Sequence, residues 1–279
     1  MVSLFDLSFY METNKNNLIH LSIITVVYND AHGLEKTIQS VLSQRFRNYE
    51  FLVFDGGSTD ATIEIINKFS SQITYWTSEP DSGPYDAMNK GIEKSTGDWI
   101  IFMNSGDTFI DDHLLSRIFS LPGLNKTDVI FGDSIIDYKA FKIYKKAASL
   151  ENIWKGMICS HQAMLFRAFL LKADGFNNTF RIGADYDRVC RLYKAGHLFQ
   201  YFPEPMVNYA AFGISHREMF KSAREHFIII KNIENLSFSQ HLFHRCNLVY
   251  FFFLDMIYKV IPFKILCPFI RLIHLKKPV

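Results

Sequence analysis

No two cysteines lie close together. Cys159, Cys190, Cys246 and Cys267 are scattered, with no CxxC pair, which argues against a disulfide framework and against a zinc site. Neither sign of charge dominates: 30 Lys plus Arg against 28 Asp plus Glu give a net charge of +2, so nucleic acid is not an expected partner. No uncharged apolar run reaches the ~18 residues that a membrane-spanning helix needs. The first twenty residues carry Asp6 and Glu12 and one basic residue, Lys15. They lack the basic-then-apolar order of a secretory leader. Repeats and low-complexity blocks are absent, and a charged fraction of only 21% excludes a wholly disordered chain. The expected compartment is the reducing cytoplasm.

What is present is apolar and aromatic. The chain has 279 residues, 48% of them hydrophobic, enough for one large or two small α/β domains with a sizeable core. Aromatics make up 15%, with 27 Phe and 13 Tyr. They are unevenly spread. Residues 241–279 hold eight Phe or Tyr and six Lys or Arg against a single acid, Asp255, which leaves residues 1–240 with 24 bases against 27 acids. A mildly acidic body is joined to a basic, aromatic tail.

Within the body, apolar β-branched runs alternate with helical periodicity. Strands are predicted at Leu21–Tyr28, Tyr49–Phe54, Ile73–Ser78 and Trp99–Met103, and helices at Gly33–Arg45, Thr62–Phe69, Tyr85–Lys94 and Asp111–Phe119. This order implies parallel βαβ units, whose ligands bind at the carboxyl ends of the strands. Polar clusters stand at those ends: Asn29-Asp30, Asp55–Ser58, Glu79–Asp81 and Asn104–Asp107. The second half reads as shorter strands at Asp128–Asp133, Lys142–Ala147 and Ala163–Arg167, an extended Phe199–Ala210, and helices at Asp185–Ala195 and Arg217–Ile233. It resembles an acceptor-side unit built onto a nucleotide-binding half.

Four places carry candidate chemistry, each with a plainer alternative. Asp55, before Gly56-Gly57, can accept hydrogen bonds from a base or ribose, or serve a turn that caps the next helix. Asp107, in Asn104-Ser105-Gly106-Asp107, suits a hard divalent cation beside a diphosphate, or a surface turn. Asp185 and Asp187 open a helix, as a general base or as acids favoured by the helix dipole. His161 precedes a strand, as an acceptor or diphosphate contact or as a structural histidine.

In order and spacing, these segments resemble a family 2 glycosyltransferase with the GT-A fold. The resemblance runs from about Leu21 to about Phe212 and rests on Thr25–Asn29, Phe54–Asp60, Ser78–Gly91, Thr96–Trp99, Asn104–Asp107 and Ala184–Asp187. The Glu79-Pro80-Asp81 and Tyr85–Asn89 stretch looks most like bacterial members that build surface polysaccharides. The resemblance implies an α/β GT-A domain with a Rossmann-like, mostly parallel nucleotide-binding half and a smaller acceptor-side half. It would span residues 21–235, between an N-terminal extension at 1–20 and a helical tail at 236–279. It implies an inverting transfer from a nucleotide-sugar to a glycan or lipid-linked acceptor. Thr25, Val27 and Asn29 would line the nucleotide pocket and Asp55 would read the base. Asp81, Asp86 and Asn89 would lie along the nucleotide–sugar cleft. Asp107 would hold Mg²⁺ or Mn²⁺, Asp185 would be the base, and His161 and Asp187 would face the acceptor. Family members often carry acids where this chain has Asn104 and Gly106. An asparagine can still hydrogen-bond a ribose or a metal-bound water.

The tail asks for a separate reading. Leu248–Leu254 is apolar, but Asp255, Lys259, Lys264 and Arg271 interrupt the apolar stretch beyond it. Aromatics interleaved with lone cations fit an interfacial helix on the inner face of the cytoplasmic membrane, the alternative being ordinary packing on the body. Two other functions compete. A nucleotidyltransferase would need a basic, Gly-rich loop after the first strand, where Asn29-Asp30-Ala31-His32-Gly33 stands instead. A catalytically degenerate nucleotide-sugar-binding protein is motivated by Asn104 and Gly106 and opposed by Asp107 and Asp185.

Overall fold

A computed structural model describes residues 19–211, 213–261, 266 and 268. Most of the 1–20 extension, Phe212 and nearly all of the tail beyond Ile261 lie outside the described residues.

The first half is built from β1 (Leu21–Val27), α1 (Ala31–Ser43), β2 (Tyr49–Asp55), α2 (Thr62–Lys68), β3 (Tyr75–Ser78), α3 (Pro84–Lys94) and β4 (Trp99–Phe102). β1 runs parallel to β2 and β4, and β3 runs parallel to β2. Side chains alternate across the sheet, as the two-residue strand period requires. Ile24, Leu52, Phe54 and Phe102 pack with Met88 and Ile92 of α3 on one face. Ile23, Phe51, Val53 and Ile101 pack with Leu34 and Ile38 of α1 on the other. Both faces are covered, which is why these strands read as nearly unbroken apolar runs.

The second half adds β5 (Thr108–Phe109), α4 (Leu114–Ile118), β6 (Val129–Asp137), β7 (Lys142–Lys145), β8 (Met164–Arg167), α5 (Ala168–Ala173), α6 (Ala184–Lys194) and β9 (Phe199–Ala210). The sheet order is β3-β2-β1-β4-β8-β6-β9-β5, with β7 beside β6. β8 joins β4 antiparallel and marks where the parallel half ends. β9 runs parallel to β6 with a register shift around Asp133, opposite Pro203–Pro205. Prolines cannot donate to a ladder, so the bulge falls there. The helix expected at Asp111–Phe119 shortens to α4, because Asp111 accepts from the His113 N–H (2.8 Å) and chelates the Arg117 guanidinium (2.8 and 3.0 Å).

A helical hairpin closes the described chain: α7 (Ile214–Arg217) leads into α8 (Met219–Ile233) and α9 (Phe238–Val260). Asp255 of α9 accepts from the Met219 and Phe220 N–H groups (3.0 and 3.1 Å) and so caps α8. His244 is buried, hydrogen-bonded to the Trp154 carbonyl (2.8 Å) and stacked on Phe227. The inner face of α9 thus packs on the body. Its outer face leaves Leu242, Val249, Phe253, Met256 and Val260 exposed. At 100° per residue these positions form one stripe. Among the described residues no helix is long and apolar enough to cross a membrane.

Candidate active site

The carboxyl ends of β1, β2 and β4 carry the polar clusters to one rim. Asp55, 2% exposed, accepts from the Gly57 and Ser58 N–H groups (3.1 and 2.9 Å), from the Ser78 hydroxyl (2.6 Å) and from the Ser58 hydroxyl. It organises the loop after β2, which needs glycine at Gly57 (φ +82°). A Cβ on Gly56 would stand 2.6 Å from Asp81 Oδ2, so the missing side chain admits Asp81 over the loop. Asn29, itself at φ 49°, accepts from the Thr59 N–H (2.8 Å), while its own N–H donates to Ser58 Oγ (2.7 Å). β1 and the β2 loop are thereby tied together. Burial pushes the Asp81 carboxyl up against its Gly83 N–H bond, and the charges of Asp86 and Asp55 add to the rise. Asp86 accepts from the Ser82 N–H (3.1 Å) beside Lys90.

The loop after β4 faces this rim. Thr37 of α1 donates to the Asp107 carbonyl (2.7 Å) and accepts from the Gly106 N–H (3.0 Å), while Ser105 donates to Asp30 Oδ2 (2.8 Å). Asp107 is 5% exposed and accepts from Gln162 Nε2 (2.8 Å). Burial pushes its carboxyl up to about 7, against the Gln162 hydrogen bond and the nearby His161.

Across the sheet, Asp185 stands at the start of α6. Glu225 of α8 holds that corner by accepting from the Ile182 and Gly183 N–H groups, both at 2.8 Å. Gly183 packs so tightly that a Cβ would lie 3.0 Å from Ile229 Cδ1. Asp185 Oδ2 lies 3.2 Å from His161 Nδ1, and His161 Nε2 lies 2.9 Å from Asn104 Nδ2. Burial acts to raise the Asp185 carboxyl, but the hydrogen bond from His161, joined by that of the Tyr186 N–H, outweighs it and holds it below the ordinary range.

The structure therefore brings Asn104, Asp107, His161 and Asp185 into one connected cluster, with Asn29, Asp55, Asp81 and Asp86 along the adjoining rim. Four expected residues are placed differently. Thr25 is fully buried with its hydroxyl donating to the Met103 carbonyl (2.6 Å), and Val27 packs in the core against α1. Asn89 bonds the Phe176 carbonyl and N–H (2.9 and 2.8 Å) and Asn178 (3.1 Å), so its amide clamps α3 to a loop. Asp187, two residues beyond Asp185, projects from another side of α6 and chelates Arg191 (2.7 and 2.9 Å), away from the cluster. Sequence reasoning also misses Tyr28, 65% exposed beside Gly56. Strand alternation carries its signal, since Val27 faces the core.

A mostly parallel sheet with acids gathered at its strand ends, opposed by a helix-borne acid, is consistent in architecture with the GT-A fold. Residues 22–199 match the family description "Glycosyl transferase family 2", and the chain belongs to that family. It is 31% identical over 199 residues to a PGL/p-HBAD biosynthesis glycosyltransferase of Mycobacterium tuberculosis, covering 69% of this chain and 77% of the relative. An uncharacterized M. tuberculosis glycosyltransferase is 32% identical over 183 residues, 61% of this chain and 68% of the relative. Two solved structures share the fold. The mannosyltransferase PcManGT of Pyrobaculum calidifontis, in complex with GDP-Man and Mn²⁺, has a TM-score of 0.63 at 15% identity, over 98% of this chain and 88% of that one. S. aureus TarS 1-349 in complex with UDP has a TM-score of 0.62 at 17% identity, over 84% and 71%. The match spans 42% of the longer TarS chain.

Proposed function

We propose that this glycosyltransferase moves a sugar from a nucleotide-sugar donor, with inversion, onto a glycan or lipid-linked acceptor in bacterial polysaccharide synthesis. The observation that carries the reading is the linked cluster of Asp107, Gln162, His161 and Asp185, which sets one acid at the strand ends and another on the opposing helix. The nucleotide complexes of PcManGT and TarS and the biosynthetic glycosyltransferase name of the mycobacterial relative support it.

Asn29, Asp55, Asp81 and Asp86 bind the donor along the rim, and Tyr28 offers an exposed ring there. Asn104 Oδ1 is buried and accepts no hydrogen bond, an acceptor suited to a ribose hydroxyl or a metal-bound water. Among the described residues no group of three or more His, Cys, Asp or Glu gathers as a metal site. The single buried carboxylate of Asp107 fits Mg²⁺ or Mn²⁺, which take one or two carboxylates and complete their shell with phosphate oxygens and water. When bound, the ion neutralises charge on the departing diphosphate. Asp185, held ionised, takes the proton of the acceptor hydroxyl as its oxygen bonds to the anomeric carbon and the bond to the diphosphate breaks. One displacement inverts the anomeric centre.

The domain reading keeps the same division, with residues 21–235 as the transferase and 236–279 as the segment that meets the membrane. The exposed stripe of α9 is flanked by exposed Arg245 and Lys259, and its one acid, Asp255, is turned inward onto α8. An apolar face edged by cations fits the inner surface of the cytoplasmic membrane, where a lipid-linked acceptor resides. Val249→Asp with Phe253→Asp should abolish flotation of the full chain with phosphatidylglycerol vesicles while leaving donor turnover intact. Unchanged flotation would refute this role of α9.

Screening purified protein against UDP-, GDP- and dTDP-sugars with Mn²⁺ tests the main reading. One donor should release nucleoside diphosphate when an acceptor extract is present. A protein that binds a donor and never releases the diphosphate is a binding protein instead.

A further inference from the structure

His161 lies on the turn His161–Ala163 just before β8, and its side chain bridges the loop after β4 to the start of α6. Its Nδ1 is 3.2 Å from the Asp185 carboxylate and its Nε2 is 2.9 Å from the Asn104 amide nitrogen. An ionised carboxylate only accepts, so the ring hydrogen sits on Nδ1. Nε2 then carries the lone pair and accepts from Asn104. Both ring nitrogens are engaged inside the protein. The ring therefore has no nitrogen free to touch a substrate.

We propose that His161 is a positioning residue that orients the Asp185 carboxylate for proton transfer, with Asn104 fixing the histidine tautomer. His161 binds Oδ2 of Asp185 while the Tyr186 N–H binds Oδ1 (2.8 Å). Two donors from different elements hold the carboxylate plane, and the Tyr85 hydroxyl lies beside the same carboxylate. Asn104 has a matching reason for being an amide. It donates to Nε2, where a carboxylate would offer only acceptors. The same side chain presents Oδ1 as a buried acceptor without a partner, so one residue joins the donor rim to the base. This inference rests on the assignment of Asp185 as proton acceptor.

The test has a spectroscopic and a kinetic part, both on the full chain. In ¹⁵N-histidine-labelled protein, the imidazole signal lost in the His161→Asn variant should show the Nδ1–H tautomer in the unmodified chain. An Nε2–H tautomer would overturn the proposal without any substrate. In kinetics with the donor chosen by the screen, His161→Ala should lower kcat by up to about 100-fold, as for a misplaced catalytic group, with donor KM little changed. His161→Asn, whose amide falls near the position of Nδ1, should recover most of that loss. His161→Gln, whose amide falls near Nε2, should not. Equal activity of the Asn and Gln variants, or an unaltered kcat in His161→Ala, would overturn the proposal. The underlying assignment fails separately: full transfer by Asp185→Asn removes the base itself, whereas an inactive Asp185→Asn beside a fully active His161→Ala removes only the positioning role.

Discussion

The two sides of the site are built differently. Along the proposed donor rim, Asp55 ends β2 and Asp81 closely follows β3, and the support of both lies mostly in the next few residues. Asp55 is held largely by Gly57 and Ser58, and Asp81 by Gly83. On the acceptor side, Asp185 starts a helix and its supports come from afar: His161 from the turn before β8, Glu225 from α8, and through Asp255 the capping contact of α9. A local turn can be encoded by a short motif. A base assembled from four separated segments depends on the whole second half folding.

That contrast can be broken at either end. A large effect should come from removing the metal ion proposed at Asp107. EDTA treatment should cut transfer by about 100-fold or more, the several kcal/mol a metal gives to charge stabilisation, and Mn²⁺ should restore it. Full activity after chelation would remove the metal role of Asp107. Next, Glu225→Ala leaves the Ile182 and Gly183 N–H groups without their acceptor, each at a cost of about 1–3 kcal/mol. It should lower both Tm and kcat while leaving donor affinity unchanged. A weaker donor Kd would mean that the two sides are not separable. Gly56→Ala should do the reverse, because its Cβ would press on Asp81. Donor affinity should fall about tenfold, near 1.4 kcal/mol, with Tm nearly constant.

The smallest effect is one of pH. Burial holds the Asp107 carboxyl near 7, above the ~4 of an unfolded aspartate. The folded chain therefore keeps a proton that the unfolded chain releases, and stability falls as pH rises from about 4 to about 7. Asp107→Asn should raise the Tm of the metal-free protein at pH 8, with the gain shrinking toward pH 4. A gain that does not change with pH would contradict this environment for Asp107.

The same contrast explains what could be read in the sequence. β1, β2, β4 and the helices around them were legible because burial on both faces demands apolar runs, and because the strand and helix periods differ. The clusters at Asn29, Asp55, Asp81 and Asn104–Asp107 followed from that order. Order along the chain does not disclose that the side chains of Thr25, Val27 and Asn89 hold the end of β4, the core and a distant loop. Asp185 and Asp187 are indistinguishable as two acids in a first helical turn. Only the partners, His161 for one and Arg191 for the other, separate them. Neither Glu225 nor Gln162 leaves any local signal, because each acts on a backbone or carboxylate far away in sequence. β5 has two residues, too few for a period to register.

Asp185 is proposed as the proton acceptor of a glycosyl transfer whose donor binds elsewhere on the rim. The direct measurement is kcat and donor Kd for Asp185→Asn in the full chain, monitored by nucleoside diphosphate release. The account predicts a kcat lowered by about 10²–10⁴-fold, the contribution of a general base, with donor Kd unchanged. Transfer at the unmodified rate, or a loss explained wholly by weaker donor binding, would contradict it.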